Sequence, residues 1–213
     1  MHIRHLSQLK RTVGVRLSKF RAYLDGGSEL NDHTIRSLVQ RVVPRGWGVF
    51  PSDDESNFTQ RQHGDGAWVI GLDPKEKDLL YAAYTGFHEA GHAHYIEHGK
   101  GGPYVDRVRR IWEQMPQAKQ IQFSRQIVKT PVYEVLPPPF QELLHSIYQE
   151  EKVCWRYAQK VAHQYGFKST PALEKRIAYS LHSYEPKDSV CIIVKQISQI
   201  LEEDQGFHNT VGL

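Results

Sequence analysis

The chain has 213 residues, 39% hydrophobic and 24% charged, with a formal net charge of +3. That size and balance suit one globular domain, or a core with a small helical extension, and exclude disordered and fibrous compositions. No apolar run approaches the ~20 residues of a membrane span, the N-terminus lacks a secretory apolar stretch, and Cys154 and Cys191 are too few for a disulfide framework, so a cytoplasmic, reducing setting without a membrane partner is expected.

In chain order, Ile3, Leu6, Leu9, Val13, Leu17, Phe20 and Leu24 recur every three or four residues among Arg4, Lys10, Arg11, Arg16, Lys19 and Arg21. This predicts a basic amphipathic helix over residues 1–27, ending near Gly26-Gly27. Its charges read as a solvated face, and neither they nor the net charge favour nucleic acid as a partner. Residues 28–204 then read as a single domain with its core at 45–165 and a helical C-terminal part at 166–204. Asn31-Asp32 looks like the cap of a helix through Val43, ended by Pro44. Strands are predicted at 46–50 and 67–72, with a polar loop from Pro51 to Gln62 and a turn at 63–66.

Residues 88–92 read His-Glu-Ala-Gly-His within an apolar segment that runs from Leu79 through Ile96. On a helix, positions i and i+4 share a face, so His88 and His92 can aim two imidazole nitrogens at one point. Glu89, one position round the helix, can reach a water held there. Two neutral nitrogens and a nearby carboxylate suit a hydrolytic zinc site, with one Zn²⁺ per chain held by His88 and His92 and Glu89 as general base. With 12 His and 14 Glu in the chain, chance places such a pattern about 0.04 times. Small Ala90 and Gly91 permit close approach of another element. His94 and His98 form a second i, i+4 pair, but on another face and with no intervening base.

Lys100-Gly101-Gly102-Pro103 breaks the chain. Helices are predicted at 104–115 and 117–129, and residues 130–139, with three consecutive prolines, are predicted to be extended. A long amphipathic helix follows over 140–167. Glu151 lies on its apolar stripe between Tyr148 and Cys154, where a carboxylate needs a cation, which makes it the candidate third metal ligand. Glu150 is its competitor, and Glu142 lies two and a half turns earlier. Cys154 reads as a small buried hydrophobe. Tyr148, Tyr157, His145, His182 and Tyr184 have chemistry suited to stabilising an oxyanion, and the sequence does not choose among them. Thr170-Pro171 starts a helix to 182, another covers 188–203, and residues 205–213 read as a loose tail.

His88-Glu89-Ala90-Gly91-His92, with a glutamate on a later helix, resembles the gluzincin branch of the zincin metallopeptidases, and within it the small ImmA/IrrE-type proteins. There the glutamate opens a Glu-x-x-Ala-Asn-x-Phe-Ala pattern. Residues 151–158 follow it loosely, with Cys154 for Ala, Trp155 for Asn and Tyr157 for Phe. The likeness covers roughly residues 45–165 and marks a divergent relative. It implies a mainly helical α+β, zincin-like fold: a small twisted sheet, with 67–72 as the edge strand that receives an extended peptide, packed on the His-Glu helix and a second, glutamate-bearing helix. It also implies a zinc-dependent endopeptidase acting on a protein or peptide, such as a transcriptional regulator. The alternative is a zinc-binding regulatory or interaction protein of the same fold with weak or no catalysis.

Overall fold

The computed structural model describes residues 30–52, 58–61 and 68–210. The expected basic helix over 1–27, the turn at 63–66 and the end of the tail at 211–213 lie outside the described residues. The elements run α1 (Asp32–Gln40), β1 (Gly48–Pro51), β2 (Phe58–Arg61), β3 (Trp68–Leu72), α2 (Leu79–Glu97), α3 (Tyr104–Gln114), α4 (Gln117–Lys129), a 3-10 turn (Tyr133–Val135), α5 (Pro138–Gln164), α6 (Pro171–His182) and α7 (Val190–Thr210). This is a mainly helical α+β chain. No helix among the described residues is long and apolar enough to cross a membrane. Two compact units are interleaved in sequence: one takes residues up to His94 and Cys154–Leu173, the other Tyr95–Val153 and Glu174 onward.

In the first unit, the Asn31 side chain caps α1 by accepting from the Thr34 backbone N–H at 3.0 Å, which satisfies one of the donors a helix start leaves open. Ile35, Leu38 and Val39 turn one stripe of this short helix inward. The sheet has the order β1-β3-β2, with β1 parallel and β2 antiparallel to β3. The segment 67–72 is therefore not the sheet edge. Its run Trp-Val-Ile-Gly-Leu is apolar at every position, and from Val69 to Leu72 all of it is buried, the pattern of a central strand covered on both faces. The stretch read as a loop from Pro51 to Gln62 contains β2, whose Phe58-Thr59-Gln60-Arg61 shows no apolar alternation. Pairing with β3 supplies the strand character that local propensity lacks.

Gln40 plugs part of the outer edge of β1. Its side-chain amide donates to the Trp47 carbonyl at 2.8 Å and accepts from the Val49 N–H at 3.1 Å. Pro51 offers no N–H further along. Both devices blunt an edge against further strand pairing.

Helix α2 enters this unit buried on all sides, with every residue from Ala83 to Ala93 buried. Such a helix can be surrounded only if its neighbours come close, and Gly91 provides the space. A Cβ there would lie 3.0 Å from the Cα of Cys154 and 3.3 Å from its carbonyl oxygen. Phe87 stacks on Tyr165 at 5.7 Å between ring centroids and meets Phe167 edge-on at 6.2 Å. Phe167 reaches it because α5 stops in a left-handed turn at Gly166 (φ +82°), with the Phe167 N–H bonded back to the Ala162 carbonyl at 3.0 Å.

The second unit is built on an apolar cluster that includes Trp112, Phe123, Phe140, Leu144, Ile147, Ile193 and Ile197. Two sequence expectations shift here. Pro138 and Pro139 lie within the first turn of α5 rather than in an extended linker, because the first helical N–H groups need no partner and proline is preset to helical φ. Helix α7 continues through Thr210, so residues 205–210 are helical where a loose tail was expected.

Since the atoms facing Gly91 are the Cα, Cβ and carbonyl oxygen of Cys154, they cannot swing aside. Gly91→Val is expected to destabilise the protein by about 1–3 kcal/mol through overpacking, measured as a lowered urea midpoint. An unchanged midpoint would mean that α2 and α5 separate freely at this point.

Candidate metal centre

His88 and His92 lie one turn apart on α2, both buried, with their Nε2 atoms 3.1 Å apart and their rings nearly perpendicular at 84°. Nitrogens this close either share a proton or face a common electrophile. A tetrahedral zinc with nitrogens at 2.0–2.1 Å holds two of them about 3.3 Å apart, close to what the helix already presents. Trp155 of α5 lies against the His88 ring, with centroids 4.2 Å apart and the planes tilted by 31°. The Gly91–Cys154 contact brings it there, since Cys154 is its neighbour in sequence. Glu89 follows His88 and is 8% exposed.

Glu151 lies one turn upstream of Trp155 on α5 and is 1% exposed. One ligand atom each from His88, His92 and Glu151 lie within 4.8 Å of one another, so this set could hold a metal ion. Two imidazoles and one carboxylate are a donor set suited to a divalent borderline metal such as zinc, with positions left for water or substrate. The donor chemistry and the spacing of the two nitrogens both fit.

Glu150, the competing carboxylate, is equally buried but otherwise engaged. Its Oε2 accepts from Arg107 Nη1 at 2.6 Å, and Arg107 Nη2 donates to the Ser146 hydroxyl at 2.9 Å. Glu151 Oε1 instead accepts from the Tyr104 hydroxyl at 2.6 Å. Burial, reinforced by the Glu151 charge, pushes that phenol well above its usual pKa of 10.0, so it stays a donor at neutral pH. The remaining carboxylate, Glu142, is exposed.

The other candidates have structural engagements. The Tyr157 hydroxyl donates to the Val42 carbonyl at 3.1 Å, and burial raises its pKa to about 12. His94 Nε2 meets the same carbonyl at 2.7 Å, while His98 is exposed. His145 bonds to the Tyr133 hydroxyl at 3.0 Å, Tyr148 lies beneath Lys152, and Tyr184 packs at the margin of the second unit's core. His182 pairs with Glu185 at 3.2 Å and approaches Asp188 at 4.0 Å in an exposed cluster. Cys154 is fully buried and belongs to neither group that could hold a metal ion, the buried His88–His92–Glu151 or the more exposed His182–Glu185–Asp188.

Sequence reasoning missed Tyr104, Arg107 and the contact of Trp155 with the His88 ring. For Arg107 a signal was present. It sits on the apolar stripe with Val108, Ile111 and Trp112, where a guanidinium calls for a buried acid just as Glu151 called for a cation. No family model, curated protein or solved structure matches the chain significantly.

The two adjacent glutamates should separate in their effects. Glu151→Gln is expected to lower Zn²⁺ affinity at least 10-fold with a modest loss of stability. Glu150→Gln should keep the parental affinity and cost about 1.5–3 kcal/mol by weakening a charged hydrogen bond to Arg107. Chelator competition and chemical denaturation of both variants check this, and the reverse pattern would exchange their roles.

Proposed function

We propose that this chain is a zinc-dependent peptidase that hydrolyses peptide bonds of a protein or peptide substrate. The observation that carries this reading is a single buried turn of α2. It sets two imidazole nitrogens 3.1 Å apart, with Glu89 adjoining the first of them in sequence. Two histidines alone would suffice for a structural ion. The buried acid beside them is what hydrolysis adds, because a peptide carbonyl needs both an activated water and a proton donor for the leaving amine.

His88, His92 and Glu151 would hold the ion. When bound, zinc acts as a Lewis acid that lowers the pKa of water and polarises a carbonyl. Glu89 accepts the proton from the attacking water at its carboxylate and returns it to the departing nitrogen, which conserves protons over the cycle. Trp155 packs against the His88 imidazole in a tilted contact and covers that side of the ring. The likeness to ImmA/IrrE-type peptidases in residues 88–92 and 151–158 favours a regulatory protein as substrate.

Glu89→Gln preserves size and hydrogen bonding while removing the base. The full-length variant is expected to retain zinc and lose cleavage by a factor of roughly 10²–10⁴, measured on a peptide library with products identified by mass spectrometry. Cleavage at the parental rate by the zinc-loaded variant would remove Glu89 from the reaction.

A further inference from the structure

The loop Gly101-Gly102-Pro103 delivers the start of α3 against α5. A Cβ on Gly101 would lie 2.8 Å from the Tyr95 ring and 3.1 Å from Glu150 Oε1, so the chain passes here directly against both side chains. Two residues of α3, three positions apart and therefore on one face, then meet the two adjacent carboxylates of α5. Tyr104 donates to Glu151 Oε1 at 2.6 Å, and Arg107 donates to Glu150 Oε2 at 2.6 Å. The Arg107 guanidinium also lies 5.8 Å from the centre of the Tyr104 ring, within cation–π range, which ties the two donors together.

The two partners differ in kind. A guanidinium neutralises a carboxylate and holds it as a salt bridge, which removes Glu150 as a ligand. A phenol brings no charge. Its short hydrogen bond occupies one oxygen of Glu151, fixes the carboxylate plane and leaves the negative charge available to a cation.

We infer that Tyr104 is a positioning residue that makes Glu151 a one-oxygen metal ligand, while Arg107 withholds the neighbouring Glu150 from the metal. This rests on the reading of Glu151 as the third ligand. With Oε1 engaged by the phenol, the carboxylate would bind a metal through its other oxygen, which would leave the position that two-oxygen binding fills open for water or substrate. Groups that hydrogen-bond a ligand from behind commonly govern metal affinity in this way.

The test uses the full-length chain with Tyr104→Phe and Glu151→Gln, singly and combined, titrated with Zn²⁺ against a chromophoric chelator. Visible spectra of the Co²⁺-substituted proteins are recorded in parallel. Tyr104→Phe should weaken Zn²⁺ binding roughly 10–100-fold, alter the Co²⁺ absorption bands, and add no further loss in the Glu151→Gln background. Parental affinity and spectrum in Tyr104→Phe, with Glu151→Gln weakened, would overturn the inference, as would an equal loss in both backgrounds, which marks general loosening. Parental affinity in Glu151→Gln would instead refute the third-ligand reading, and the inference with it. Should Tyr104→Phe fail to fold, 3-fluorotyrosine at position 104 keeps the ring while changing the strength of the bond. A Co²⁺ spectrum that then stays unmoved also overturns the inference.

Discussion

The close approach of α2 to α5 at Gly91 and Cys154 is the contact on which the candidate centre depends. With a Cβ position only 3.0 Å from the Cys154 Cα, glycine is the residue that lets these two backbones meet, and its helix penalty of roughly 0.5–1 kcal/mol relative to alanine has a structural return. Because Cys154 is pressed against α2, its neighbour Trp155 reaches the His88 ring. One turn upstream on the same helix stands Glu151.

Electrostatics then determines which side chain does what. Burying two consecutive glutamates on one helix is costly unless each is compensated. Arg107 compensates Glu150 at 2.6 Å, and Tyr104 hydrogen-bonds Glu151 without cancelling its charge. The same helix, α3, supplies both partners, so the division of labour between the carboxylates is built by one element. Elsewhere the polar aromatic and histidine side chains are used for construction: Tyr157 and His94 both serve the Val42 carbonyl and so secure the chain after α1 to α2 and α5.

What could be read from the amino acids follows from how local each signal is. The pairing of the two histidines was legible because i, i+4 geometry is a property of one helix, and the small residues beside them foretold close packing. Glu151 was legible as a misfit on an apolar stripe. Choosing it over Glu150 needs helix phase and partners, and those come from Tyr104 and Arg107, more than forty residues earlier. Strand β2 was hidden because Phe58–Arg61 becomes a strand only by pairing with β3. The edge assignment of 67–72 failed for a related reason: strand order is a tertiary property, and the buried run of β3 marks a central strand only once its two neighbours are known. Pro138 and Pro139 misled as breakers because proline stops a helix from within but starts one readily.

The central claim is that His88, His92 and Glu151 hold a divalent metal in the folded chain, and metal content tests it most directly. Plasma mass spectrometry of the purified full-length protein beside His88→Ala is expected to find about one zinc per chain in the parent and its loss in the variant. A parent that stays metal-free after zinc is supplied, or a His88→Ala variant that keeps a full complement, would contradict the account and leave the two histidines as partners of each other alone.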